Sequence, residues 1–138
     1  DTTGQPRWGD LTDKQPVFSD PNGVGWCVSA SYHPTSDRVI LTTEHGISRH
    51  GHLGFFDAPN PWGPWTTISY LQPDNRFGAE RPGSDHPWRN NVFFAAFPTQ
   101  WFDGDSFTLA FTNAGREPDH DSFNTVQGTF IRPDASTR

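Results

Sequence analysis

The stretch VGWCVSASYHPTSDRVILTTE, Val24 to Glu44, decides the fold class. Its first half, Val24 to His33, sets Trp26, Val28, Ala30 and Tyr32 on one face and Cys27, Ser29 and Ser31 on the other, the period of a strand. Pro34-Thr35-Ser36-Asp37 has the chemistry of a tight turn. Arg38 to Glu44 then returns with Val39, Ile40, Leu41, Thr42 and Thr43, a strand-forming run rich in β-branched residues. The two halves read as one hairpin.

The same grammar repeats outward. Ser19-Asp20-Pro21-Asn22-Gly23 is a loop ahead of the hairpin, and the polar segment His45 to Gly51 follows it, leading to a third strand, His52 to Asp57. Ala58 to Pro64 is a proline-stiffened loop, and Trp65 to Leu71 is a fourth strand. A polar stretch with three prolines, Gln72 to Asn90, separates this group from the next; loops of that length are more often functional than idle. Asn91 to Phe97 is apolar almost throughout, the pattern of a strand buried on both faces. Ser106 to Thr112 alternates Phe107, Leu109 and Phe111 against smaller residues, and Phe123 to Ile131 closes the series, with Gly128 marking a bulge. The chain thus divides into a lead-in (1–23), a four-stranded unit (24–71), a long loop (72–90) and a three-stranded unit (91–132).

Composition agrees. The 138 residues include 13 Gly and 13 Pro, which would break long helices repeatedly, and 12 Phe, 6 Trp and 2 Tyr, enough large side chains for a core. No apolar run approaches the ~20 residues of a membrane helix. Ten basic against 16 acidic residues leave a net charge of −6, and the scattered Arg form no basic cluster, so neither nucleic acid nor an anionic membrane is an expected partner. Cys27 is the single cysteine and forms no internal disulfide. The chain opens at Asp1, which is compatible with a processed or trimmed start. The expectation is an all-β fold of antiparallel four-stranded meanders: two β-propeller-type blades, the second incomplete, or alternatively a two-sheet β-sandwich.

Particular residues favour the first form. The run Gly54-Phe55-Phe56-Asp57-Ala58-Pro59-Asn60-Pro61-Trp62-Gly63-Pro64-Trp65 resembles the blade signature of five-bladed propeller glycosidases and related secreted proteins, in which Asp-Ala-Pro precedes Trp-Gly-Pro-Trp and a final strand. Val28 to Thr43 fits the same blade, and Phe107 to Phe111 with Asp121 to Phe130 looks like the last blade of such chains. Gly4 to Trp8 with Pro16-Val17-Phe18 looks like the tail of a preceding one. The resemblance implies the C-terminal two blades of a longer, carbohydrate-active, glycoside hydrolase-like protein in an extracytoplasmic or secreted setting. The alternatives are a non-catalytic glycan- or protein-binding module, or a structural propeller fragment that self-assembles. Trp62, Trp65, Phe55 and Phe56 are expected to fill the wedge between adjacent sheets.

Strand parity locates a candidate site. Chain direction reverses at each strand of a meander, so alternate loops share an edge. One edge then receives residues 10–23, 45–51, 72–90 and 113–120, and the other receives 34–37, 58–64 and 98–105. The first set holds His45, His50, His86 and His120, with His52 at its border, and the acids Glu44, Glu80, Asp85, Glu117, Asp119 and Asp121; only His33 lies at the opposite edge. These histidines are expected in one broad concavity. Glu44, Asp85 and Asp119 are the candidate catalytic acids, and His45, His86, Trp88, Arg89 and His120 the candidate substrate contacts. A hydrolase would hold two carboxylates about 5–10 Å apart around the scissile bond, whereas an exposed aromatic shelf would suit a lectin-like module.

The remaining motifs are weaker. His45, His50 and His52 with Glu44 or Asp85 are ordinary Zn²⁺ ligand types, but their spacing matches no finger or zincin pattern, so no metal and no cofactor is expected. Asp119-His120-Asp121 suits either a cation, a sugar hydroxyl or a plain polar turn. Ser29 and Ser31 lack a nucleophile elbow, and Cys27 lacks basic neighbours that would activate it. The phenylalanines at 93, 94, 97, 107, 111, 123 and 130 are expected on both faces of their sheet, leaving apolar surface that self-association or the rest of a larger propeller would cover.

Overall fold

The computed structural model describes residues 5–25, 27–44, 53–71, 92–113 and 123–131. Seven strands account for most of them: β1 (Val28–His33), β2 (Arg38–Glu44), β3 (Leu53–Ala58), β4 (Thr66–Leu71), β5 (Val92–Ala96), β6 (Ser106–Asn113) and β7 (Phe123–Thr129). Single 3₁₀ turns at Leu11–Asp13 and Thr99–Trp101 are the only helical pieces among the described residues. The fold is all-β. β1 to β4 form one antiparallel meander in chain order, and β5 to β7 form a second, three-stranded one. The two sheets are not closed into a barrel, an arrangement that suits a partial propeller and a sandwich alike.

The hairpin of β1 and β2 turns at 34–37, with Asp37 at φ 53° in the left-handed region, where Asp is among the better-tolerated residues. Pairing register sorts the first sheet into two faces. Ser29, Ser31, His33, Ile40, Thr42, Leu53 and Phe55 share the face turned toward the second sheet. Val28, Ala30, Tyr32, Val39, Leu41, Thr43, Phe56 and Ala58 share the other. Phe18 of the lead-in packs on that second face, edge-on to Phe56 at 4.7 Å and to Trp65 at 5.8 Å, and Asp20 accepts the Tyr70 hydroxyl at 3.0 Å. The expectation for the aromatic run is therefore divided: Phe55 lies between the sheets, against Phe97, while Phe56 and Trp65 lie on the far side under Phe18.

The core forms where the sheets meet. Ile40 and Leu53 from the first sheet pack with Ala95, Phe97, Leu109 and Phe111 from the second unit, and Phe55, Phe102, Phe107, Val126 and Phe130 close around them. Each fully buried Leu or Phe here contributes about 1.5–3 kcal/mol. Thr42 adds a polar tie, its hydroxyl donating to the Ala95 carbonyl across the interface.

The second sheet departs from expectation in two ways. Val92 to Ala96 is not buried throughout: the register slips between Phe93 and Ala96, Phe94 takes φ 51°, and its ring is exposed. The bulge restores Ala95 and Phe97 to the core side. Gly128 is not a bulge but pairs regularly with Phe107, whose ring lies over it. The phenylalanines divide unevenly, with Phe94 and Phe123 exposed. Phe97, Phe107, Phe111 and Phe130 line the intersheet core, whereas the outer face of β6 and β7 presents Thr108, Thr112, Thr125, Gln127 and Thr129, with Phe123 at its end. The side chain of Phe93 lies outside the described residues.

Candidate functional site

Strand ends define two edges. At one, Glu44 pairs with Leu53 and Leu53 with Leu71, and on the second sheet Val92 pairs with Asn113 and Thr112 with Phe123. Residues 45–52, 72–91 and 114–122 depart from these ends, as parity requires. The candidates His45, Asp85, His86, Trp88, Arg89, Asp119 and His120 lie outside the described residues, as do His50, His52, Glu80, Glu117 and Asp121. No group of three or more His, Cys, Asp or Glu suited to a metal ion occurs among the described residues.

Glu44 is described, and it is buried. Its carbonyl accepts the Gly25 N–H at 2.7 Å, and a side chain at position 25 would overlap it, so only glycine allows the chain to pass so close. The Glu44 carboxyl lies against the buried Cys27 thiol. Burial pushes the Cys27 thiol up from its ordinary range, and the hydrogen bond and charge of Glu44 push the same way; the backbone of Phe94 opposes them. Cys27 is held as a neutral thiol, consistent with the absence of basic neighbours in the sequence.

The opposite edge is described almost completely. Here the turn 34–37 meets the connection 97–105 from the other sheet. The Gly104 carbonyl accepts two hydrogen bonds, from His33 Nε2 at 2.9 Å and from Thr35 Oγ1 at 2.9 Å, across 71 and 69 residues of chain. The other ring nitrogen, Nδ1, is 2.6 Å from Ser36 Oγ. The His33 ring is 1% exposed and stands edge-on to Phe102 and Phe130, at 4.6 and 5.3 Å between centroids. Beside it Arg38 pairs with Asp57, which also accepts from Thr66.

Exposed aromatics occupy the same edge. Tyr32 is 47% exposed, and its hydroxyl donates to Asp37 Oδ1 at 2.9 Å. That bond raises the Tyr32 hydroxyl above the usual phenol range, so it stays protonated well past neutral pH. The 3₁₀ turn that carries Trp101, 43% exposed, packs against β1, the strand that carries Tyr32. Asp103 and Asp105 follow on the same connection. Sequence reasoning set this edge aside because it held a single histidine. The available signal was parity itself, which already placed 34–37 beside 98–105.

Compared with protein-family models, curated proteins and solved structures, the chain matches none of them. The residues alone carry its functional reading.

Proposed function

We propose that this protein is a carbohydrate-binding module that holds a glycan at the edge formed by residues 32–38 and 98–105. One observation carries the reading: exposed aromatic side chains, Tyr32 and Trp101, on packed elements, with a carboxylate bound to the tyrosine hydroxyl. The C–H face of a sugar ring stacks on such side chains, and its hydroxyls bond to neighbouring carboxylates. Asp37 offers its carboxylate on the Tyr32 side of this edge, and Asp103 lies on the connection that carries Trp101. Stacking on a rigid aromatic needs little side-chain ordering, which favours binding at modest surface area. The glycosidase resemblance points to the same substrate class; the acids it would use, at 44, 85 and 119, are expected at the opposite edge, so hydrolysis is not part of this reading.

A glycan array followed by tryptophan-fluorescence titration tests the reading. Binding to at least one glycan is expected, with Trp101→Ala weakening it by about tenfold or more, as loss of one aromatic hot spot does. Absence of glycan binding, or binding unchanged in Trp101→Ala and Tyr32→Ala alike, would refute it.

A further inference from the structure

We propose that Ser36 and His33 form an acyl-accepting dyad that hydrolyses small carboxylic esters; this does not depend on the glycan reading. The support is a proton inventory. A carbonyl oxygen only accepts, so His33 Nε2, 2.9 Å from the Gly104 oxygen, carries the ring proton. In the neutral ring Nδ1 then holds a lone pair, and Ser36 Oγ, 2.6 Å away, donates its proton to it. A hydroxyl aimed at an imidazole whose far nitrogen is fixed by an acceptor is the ground-state arrangement of a base-activated serine. Gly104 takes the part that a carboxylate plays in the familiar triad, setting the tautomer and the ring orientation.

The surroundings suit the assignment. Phe102 and Phe130 stand against the buried His33 ring, while Ser36 is only half-buried. The next residue, Asp37, is held at φ 53° and tied by its carboxylate to Tyr32. Thr35 bonding the same Gly104 oxygen fixes the turn to the other sheet, so nucleophile, base and orienting group are held by both halves of the molecule.

In the reaction Ser36 Oγ forms a bond to the ester carbonyl carbon as its proton passes to His33 Nδ1. The tetrahedral adduct collapses by breaking the bond to the alcohol oxygen, which leaves with the proton from Nδ1. Water then attacks the acyl-serine, its proton moving to Nδ1 and on to Ser36 Oγ as the carboxylic acid departs.

The test uses the full chain with two probes, a small alkyl fluorophosphonate and p-nitrophenyl acetate. A single phosphonyl adduct mapping to Ser36 by peptide mass is expected, and Ser36→Ala should lower ester turnover by about 10²-fold or more, the usual worth of a positioned general base. Ser36→Ala removes one oxygen from a half-exposed turn, and circular dichroism checks that its fold is intact. Three outcomes would overturn the proposal: no Ser36 adduct in the folded chain, an equal labelling rate in the urea-unfolded chain, or full turnover in folded Ser36→Ala.

Discussion

Cys27 and Glu44 are a pair that neither residue type would suggest by itself. A buried carboxyl beside a buried thiol disfavours the thiolate twice, through loss of water and through like charge. The thiol is therefore raised in the folded chain relative to the unfolded one. Its linked contribution to stability is fully present below the unfolded thiol's titration and is lost as pH rises through the folded value. Iodoacetamide should modify Cys27 in the native protein far more slowly than in urea at mildly alkaline pH. Glu44→Gln removes the charge and should shift the rate profile of the folded variant toward lower pH. A profile unmoved by that substitution would show that burial alone sets the thiol.

Among the elements, β6 and β7 depend on one missing side chain. A Cβ on Gly128 would overlap the ring of Phe107, and that ring is itself wedged against Phe97 at 5.0 Å and Phe130 at 4.7 Å, so it has nowhere to swing. Gly128→Ala should cost about 1–3 kcal/mol, the usual penalty of overpacking, read from urea denaturation. The double variant with Phe107→Leu should recover part of that loss. This pair also shows what the sequence conveys. A glycine inside a strand announces that something comes close, but not whether it is a bulge or an opposing ring. The first hairpin was legible because its alternation, its turn and its β-branched return strand all agree. Val92 to Ala96 was not, because an unbroken apolar run has no parity and so hides the slip at Phe94. The edge with His33 was hidden for a different reason: its key acceptor is a backbone carbonyl, which has no sequence signature, and Ser36 belongs to a turn that reads as plain loop. The histidine-rich connections are expected at one edge by parity alone, and they lie outside the described residues.

Across the whole molecule, the two meanders join through an apolar seam and a few polar ties. Ile40, Leu53 and Phe55 supply one side of the seam and Ala95, Phe97, Leu109 and Phe111 the other. The outer face of the second sheet is hydroxyl-rich, and the seam collects Phe97, Phe107, Phe111 and Phe130 while Phe94 and Phe123 stay exposed. Each sheet buries its core on the other, so the two should unfold in one transition, seen as coincident fluorescence and circular-dichroism curves in urea.

The bond from His33 to Gly104 has a spectroscopic consequence. An imidazole N–H that is buried, bonded to a carbonyl and shielded by two phenyl edges exchanges slowly with water, so it should give a resolved downfield proton resonance at neutral pH. Rings standing edge-on to it should displace that resonance from the position of an ordinary histidine. The signal should vanish in His33→Gln, and in the wild-type chain it should fade with the main unfolding transition. One proton, donated across 71 residues of chain, would then time the parting of the two sheets.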